Sequence, residues 1–310
     1  MWQFRQVRVA GRVCVFCYTL VSVPEHAERQ ARIITSLNLK GGVGKTHICW
    51  LIAGVCQERG KRCLVVDLDK QGNISTTLLG DNVAGVGAEA FFNPAVDPQI
   101  QTLIRRGHLS NVDAIPGSFA LEQFNMTDPS KWEASGLISS LVDPLHDVRS
   151  LYDYILLDCP ADISLITYAA LSASDYLVIP LEAAQWGALG TNHVVKTLQH
   201  VQQHHNARLK LLGYVLSRSR LSRKYQKTYA TRMHEKFGDD AFETAIPDLS
   251  LFEQAVTDRI PVVLHSPNSH AANIARQFFD EVESRAERFA GIGDARGRKG
   301  IRRQPVVAVA

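Results

Sequence analysis

A net excess of charge of either sign is almost missing from this chain. Its 34 Lys and Arg nearly balance 31 Asp and Glu, leaving +3 over 310 residues. So small an excess excludes a strongly basic or acidic protein and names no partner by itself. Cysteine is scarce, at six residues. Only Cys14 and Cys17, in "CVFC", are closely spaced. They lie in an apolar run without a second Cys/His pair, which argues against zinc. The other four fall in predicted helices and strands and read as buried free thiols of a reducing cytosol. Long apolar runs are also missing. "VCVFCYTLVSV" follows a few arginines, as in an export signal, but is too short to span a bilayer.

No internal repeat and no long linker interrupts the chain. Residues 1–30 read as an extension of uncertain order: a loose arm, an extra edge strand, or residues upstream of the natural start. Residues 31–290 read as one domain, and 291–310 as a flexible basic tail containing "ARGRKGIRRQ". Such a tail is either plain solubility or an attraction to nucleic acid or another acidic surface.

What is present is an alternation of strands and helices. "ARIITSLN" is a short β-rich run. "THICWLIAGVCQERG" has Ile48, Leu51, Ile52 and Val55 on one helical face and Gly60 as a C-cap. "KRCLVVDLD" is a buried strand, so the three make a parallel βαβ unit. Further strands are expected at "NVDAIPG", "YDYILLDCP", "ASDYLVIPL", "LKLLGYVLS" and "FETAIP". Helices are expected near "GLISSLVDPL", at "LITYAALSA", "GALGTNHVVKTLQHVQQHHN" and "KYQKTYATRMHEKFG", and at "SHAANIARQFFDEVESRAERF". The fold class is therefore α/β, with a doubly wound, mainly parallel sheet flanked by helices.

Between the first strand and the first helix stands "LNLKGGVGKTHI". The ordinary phosphate loop is G-x-x-x-x-G-K-[ST]. Here Gly44, Lys45 and Thr46 supply its end, but Leu39 occupies the place of the first glycine and a second lysine, Lys40, follows it. Gly41, Gly42, Val43 and Gly44 allow backbone N–H groups to curl around a phosphate, and the helix N-terminus adds partial positive charge. Lys45 suits the β- and γ-phosphates and the Thr46 hydroxyl suits Mg2+, with His47 next in the helix. Lys40 leaves the strand over the phosphates, where a cation can neutralise charge on a transferring phosphoryl group, in cis or from a second copy.

"KGGVGKT" resembles the deviant Walker A motif of the ParA/MinD ATPases, whose leading signature lysine acts across a nucleotide-sandwich dimer. "VVDLDKQGN", "YDYILLDCPAD", "ALSASDYLVIPLEA" and "FETAIPDLSLFEQAVTDRIPVV" are similar to later motifs of that family, so the resemblance runs from about Ala31 to about Ser284. The resemblance implies ATP and Mg2+, a weak partner-stimulated ATPase, and a homodimer formed on ATP. It implies that Lys40, Lys45 and Asp69 serve catalysis, with Asp69 directing the attacking water. Thr46, Asp67 and Asp158 would surround Mg2+, and Pro247 would pack on adenine. Aspartates that end strands also cap helices, and for Asp67 that reading stands level with the functional one. Three departures are visible: His47 stands for the usual Thr or Ser, Lys70 for Pro, and Ala161 for the second Pro after Asp158.

The nearest resemblance is to Soj-type partitioning proteins, which implies non-specific DNA binding, a ParB-like activator and a nucleoid-associated, cytoplasmic location. "SRSRLSRKYQK" offers Arg218, Arg220, Arg223, Lys224 and Lys227 as a phosphate-neutralising cluster, or as a solvated helix face. "PDLSL" lacks the arginines that many chromosomal relatives carry there. The tail lacks the periodicity of a membrane-binding amphipathic helix, so no membrane partner is expected. The alternative is a positioning ATPase for another cargo, such as a secretion or cellulose-synthesis complex, and a weaker one is a metabolic ligase or kinase of the P-loop group.

Overall fold

A computed structural model describes residues 3–9, 12–18, 30–95, 99–128, 132, 135–182, 189–218 and 224–291; for 3–9, 12–18, 189–191 and 224–227 it describes the backbone alone. Strands β1 (Gln3–Val9) and β2 (Arg12–Tyr18) pair antiparallel in a sheet of their own.

The main sheet has seven strands: β3 (Arg32–Ser36), β4 (Cys63–Asp67), β5 (Arg105–Arg106), β6 (Val112–Ile115), β7 (Tyr154–Asp158), β8 (Tyr176–Glu182) and β9 (Lys210–Ser217). Their spatial order is β5-β6-β4-β7-β3-β8-β9. All neighbours run parallel except the short β5–β6 pair at one edge. The expected βαβ unit is present with one difference: β7 lies between β3 and β4 and pairs with both. The chain thus winds outward in both directions from β3, and a crevice opens at the carboxyl ends where it parts.

Both faces of the sheet are covered, which is why the strands read as continuous apolar runs. Successive residues feed opposite layers. Ile33, Leu64, Leu157 and Ile179 point into one core, and Ile34, Val65, Leu156 and Val178 into the other. The first layer is completed by α4 (Val142–Val148), α5 (Leu165–Ala173) and α6 (Leu189–His204). The second is completed by α1 (Lys45–Glu58), α8 (Ser250–Thr257), α9 (Val262–His265) and α10 (His270–Phe289). Between them in sequence come α2 (Asn73–Leu79), α3 (Ile100–Leu103) and α7 (Lys224–Phe237).

Helix α1 departs from the one-face expectation: Ile48 through Cys56 are all buried, including Trp50 and Cys49. It is sandwiched between the sheet and α9–α10, and a helix covered on both sides has little polar face. At Gly54 a side-chain carbon would come within 2.6 Å of Pro261 Cβ, so the helix touches the α8–α9 turn directly. Its end is as expected: Gly60 at φ 66° closes it, with Lys61 N–H donating to Cys56 O and Gly60 N–H to Gln57 O.

Two expected elements are corrected. "FETAIP" forms no continuous strand: Phe242 N–H donates to Tyr214 O and Ile246 N–H to Leu216 O of β9, but between them the Glu243 and Thr244 N–H groups donate to the Glu281 carboxylate, which interrupts the ladder. Buried Arg285 donates to the carbonyls of Leu212, Asp239 and Ala241 and to Glu281, so backbone polar groups there are met by a side chain. "GLISSLVDPL" is a 3-10 turn at Leu137–Ser139 followed by α4, not one helix.

Candidate nucleotide site

The register of the sheet gathers the site. Ser36 lies opposite Asp158, and Asp158 opposite Asp67, at the carboxyl ends of β3, β7 and β4. The loop after β3 rises between them and runs into α1. Gly42 and Gly44 adopt φ 77° and 96°, a region L side chains avoid. At Gly44 a Cβ would also lie 2.4 Å from Ser217 Oγ at the end of β9. Nothing lies within 4 Å of a Cβ built on Gly41, so the outer arm of the loop is open.

Lys45 is buried and its Nζ donates to the Lys40 carbonyl at 3.2 Å, folding the side chain back along the loop. Burial lowers its pKa, and Asp158 opposes that shift most strongly among its neighbours. Asp158 itself is fully buried, and neither carboxylate oxygen has a well-formed hydrogen bond among the described residues. Burial and then Asp67 push its pKa well up, while the Thr46 hydroxyl and Lys45 pull it back. Ser36 Oγ and Ser217 Oγ are likewise buried without partners, so unmet polar atoms concentrate at this edge of the sheet. A divalent cation suits this place: an orphaned carboxylate and the Thr46 hydroxyl are hard oxygen donors.

Asp67 is spent differently. Its Oδ2 accepts from Ser75 N–H at 3.0 Å and Ser75 Oγ–H at 2.6 Å, and its Oδ1 accepts from Asp69 N–H at 3.1 Å. Burial raises its pKa to about 6 although these bonds work against the rise. The carboxylate therefore shapes the β4–α2 loop and holds Asp69 in place. Among the described residues Asp69 receives Gln71 N–H at 3.0 Å, in an Asx turn, and it lines the cavity beside the phosphate loop.

Two supporting residues were not foreseen. Ser75 bonds Asp67 and also accepts from Gly117 N–H at 2.9 Å. At Gly117 a Cβ would meet the carbonyl oxygens of Asp69 at 2.6 Å and Asp67 at 2.8 Å. Only the turn-like "PG" after β6 hinted at that contact.

The cavity holds about 570 Å³, ample for a nucleotide. Gly41, Gly42, Gly44, Lys45, Thr46 and His47 form its polar end. Pro247, Phe252, Ile246 and Ile74 add apolar surface to the same lining, of a kind that suits a base. His47 packs edge-on against Phe252 at 4.9 Å, and its Nε2 is sealed without a partner although the residue as a whole is only partly buried. Burial, aided by Arg218, lowers its pKa to about 4, so it stands neutral.

Lys40 is at the rim, half-exposed, and its Nζ pairs with Glu182 Oε2 at 2.6 Å. Lys70, one of the departures noted in sequence, pairs with Glu122 at 2.5 Å. Of the candidate DNA residues, Arg218 lies on the phosphate loop, donating to Gly42 O at 3.0 Å. Arg220 and Arg223 lie outside the described residues, and Lys224 and Lys227 are placed in α7 by backbone alone.

A family model described as an AAA domain matches residues 31–211. The sporulation initiation inhibitor protein Soj of Bacillus subtilis is 30% identical over 81% of this chain and 98% of its own length. The chromosome partitioning protein ParA of Myxococcus xanthus is 30% identical over 77% of this chain and 83% of its own. Among solved structures, cobyrinic acid a,c-diamide synthase from Mycobacterium smegmatis, with bound ADP and magnesium, superposes with a TM-score of 0.68 at 22% identity, covering 89% of this chain and all of that one. With its lysine-led phosphate loop and its Soj and ParA relatives, the chain belongs to the ParA/MinD family of P-loop ATPases.

Proposed function

We propose that this protein is an ATP-driven partitioning switch: it binds ATP and Mg2+, dimerises across the nucleotide, coats DNA without reading sequence, and is released when a ParB-like protein stimulates hydrolysis. The observation that carries this reading is Lys40 at the mouth of a phosphate loop already served by Lys45. A second amine at the rim has no phosphate left to serve in its own subunit, and it suits the phosphates of a facing copy. The Soj and ParA relatives, aligned over most of the chain, support partitioning as the use of the switch.

Lys45 and the loop amides hold the β- and γ-phosphates, and Thr46 with Asp158 holds the cation, which neutralises phosphate charge when bound. Asp69, fixed by Asp67, orients the attacking water. A loop in which Lys70 replaces a ring-locked residue turns over slowly, as a timing device requires. Cations of the 220–227 stretch and the tail serve DNA, and the setting is the cytoplasm at the nucleoid. Among the described residues no helix is long and apolar enough to cross a membrane.

Retardation of random-sequence DNA, compared with ATP and with ADP, tests the reading. Binding only with ATP, weakening steeply with salt, is expected. Equal or absent binding with both nucleotides would transfer the protein to the positioning ATPases that carry other cargo.

A further inference from the structure

Arg218 begins the cationic stretch that the sequence offers to DNA, yet the fold gives it another neighbour. Its backbone sits at φ 51°, one of two non-glycine residues at positive φ among those described. For a side chain with a Cβ that conformation is costly and persists where surroundings impose it. The guanidinium crosses to the phosphate loop, where Nη1 donates to Gly42 O at 3.0 Å. Ser217, just before it, packs against Gly44. The end of β9 is thus applied to the glycine arm of the loop at two successive residues. Arg218 also lines the same cavity as Lys45 and Pro247.

Asp69 and Arg218 line the same cavity as the loop. A guanidinium has five N–H donors in a rigid fork, and the Gly42 bond uses one.

We infer that Arg218 is a nucleotide-site residue, pinning the Gly42 carbonyl and presenting its free donors to the phosphate chain of a nucleoside di- or triphosphate. It sets nucleotide affinity, and the DNA surface begins beyond it. The inference rests on the cavity being the ATP pocket and is independent of DNA binding.

The full-length protein is titrated with a fluorescent ADP and Mg2+, without DNA, and compared with Arg218→Asn and Arg218→Lys. Asparagine tolerates the left-handed backbone, and lysine keeps the charge without the fork. Arg218→Asn is expected to weaken ADP about tenfold or more, with partial recovery in Arg218→Lys. Because the side chain is exposed, nucleotide-free melting temperatures stay at the wild-type value. At saturating ATP, random-sequence DNA is retained by both variants with the wild-type salt slope. ADP affinity within twofold of wild type in Arg218→Asn would overturn the inference, whatever DNA binding does. A wild-type protein that fails to bind ADP would instead remove the pocket on which it rests.

Discussion

Lys40 Nζ lies 2.6 Å from Glu182 Oε2, a salt bridge between the rim of the phosphate loop and the end of β8. The side chains are 43% and 30% exposed, so the pair is worth less than about 1 kcal/mol. It nevertheless holds in cis the amine that the proposed dimer needs in trans. Glu182→Gln should raise the ATP-dependent dimer fraction by about two- to fivefold at fixed protein concentration. Sedimentation velocity with a non-hydrolysable ATP analogue measures this. An unchanged dimer in Glu182→Gln, alongside a lost dimer in Lys40→Ala, would show that the pair is incidental.

Asp158 should trade stability for chemistry. It is buried with both oxygens lacking good partners, a costly arrangement without a cation. Asp158→Asn removes the charge at nearly constant shape. The nucleotide-free variant should gain about 1–3 kcal/mol against urea at pH 8, while the extra thermal stabilisation from adding Mg2+ to ATP shrinks. A variant less stable than wild type would mean that the carboxylate is already satisfied.

Ser75→Ala should be costly despite the small change. It leaves Asp67 Oδ2 and Gly117 N–H short of a partner in a buried place. About 1–3 kcal/mol of stability should be lost. ATP turnover should also fall, because Asp69 loses the braced loop beneath it. Urea midpoints and steady-state phosphate release separate the two effects.

His47 makes the fold acid-sensitive. Its folded pKa is about 4, below the ordinary value near 6.5. Between those values the unfolded chain takes a proton that the folded chain refuses, so stability rises with pH across that window and is lost on acidification through it. The full effect is about 2–3 kcal/mol, allowing for the partial exposure of the residue. His47→Thr should flatten the difference in urea midpoint between pH 7 and pH 4.5. An equal slope in both proteins would assign the acid loss to other groups.

Much of this was legible in the residues. Apolar runs ending in Asp67 and Asp158 announced buried parallel strands with carboxylates at their ends. "KGGVGKT" announced the loop, because glycine where φ must be positive leaves a mark in sequence. The position of β7 between β3 and β4 was not legible, since strand order depends on contacts distant along the chain. The division of labour between Asp67 and Asp158 was hidden for the same reason: Ser75 and Gly117 become neighbours of Asp67 only once α2 and β6 dock. Arg218 was read with its cationic neighbours in sequence, whereas the end of β9 delivers it to Gly42. "FETAIP" had a strand's pattern, but Glu281, far along the chain, takes the Glu243 and Thr244 N–H groups and breaks the ladder that Phe242 and Ile246 make with β9.

Threading β7 between β3 and β4 has a consequence for synthesis. Ser36, Asp67 and Asp158 share one row, but the middle of that row is the last to leave the ribosome. A nascent chain that already carries the whole glycine loop has an open slot in its sheet until residues 154–158 emerge. Fragments ending before that point will lack the floor of the pocket, so nucleotide capture must wait until at least half of the polypeptide is made.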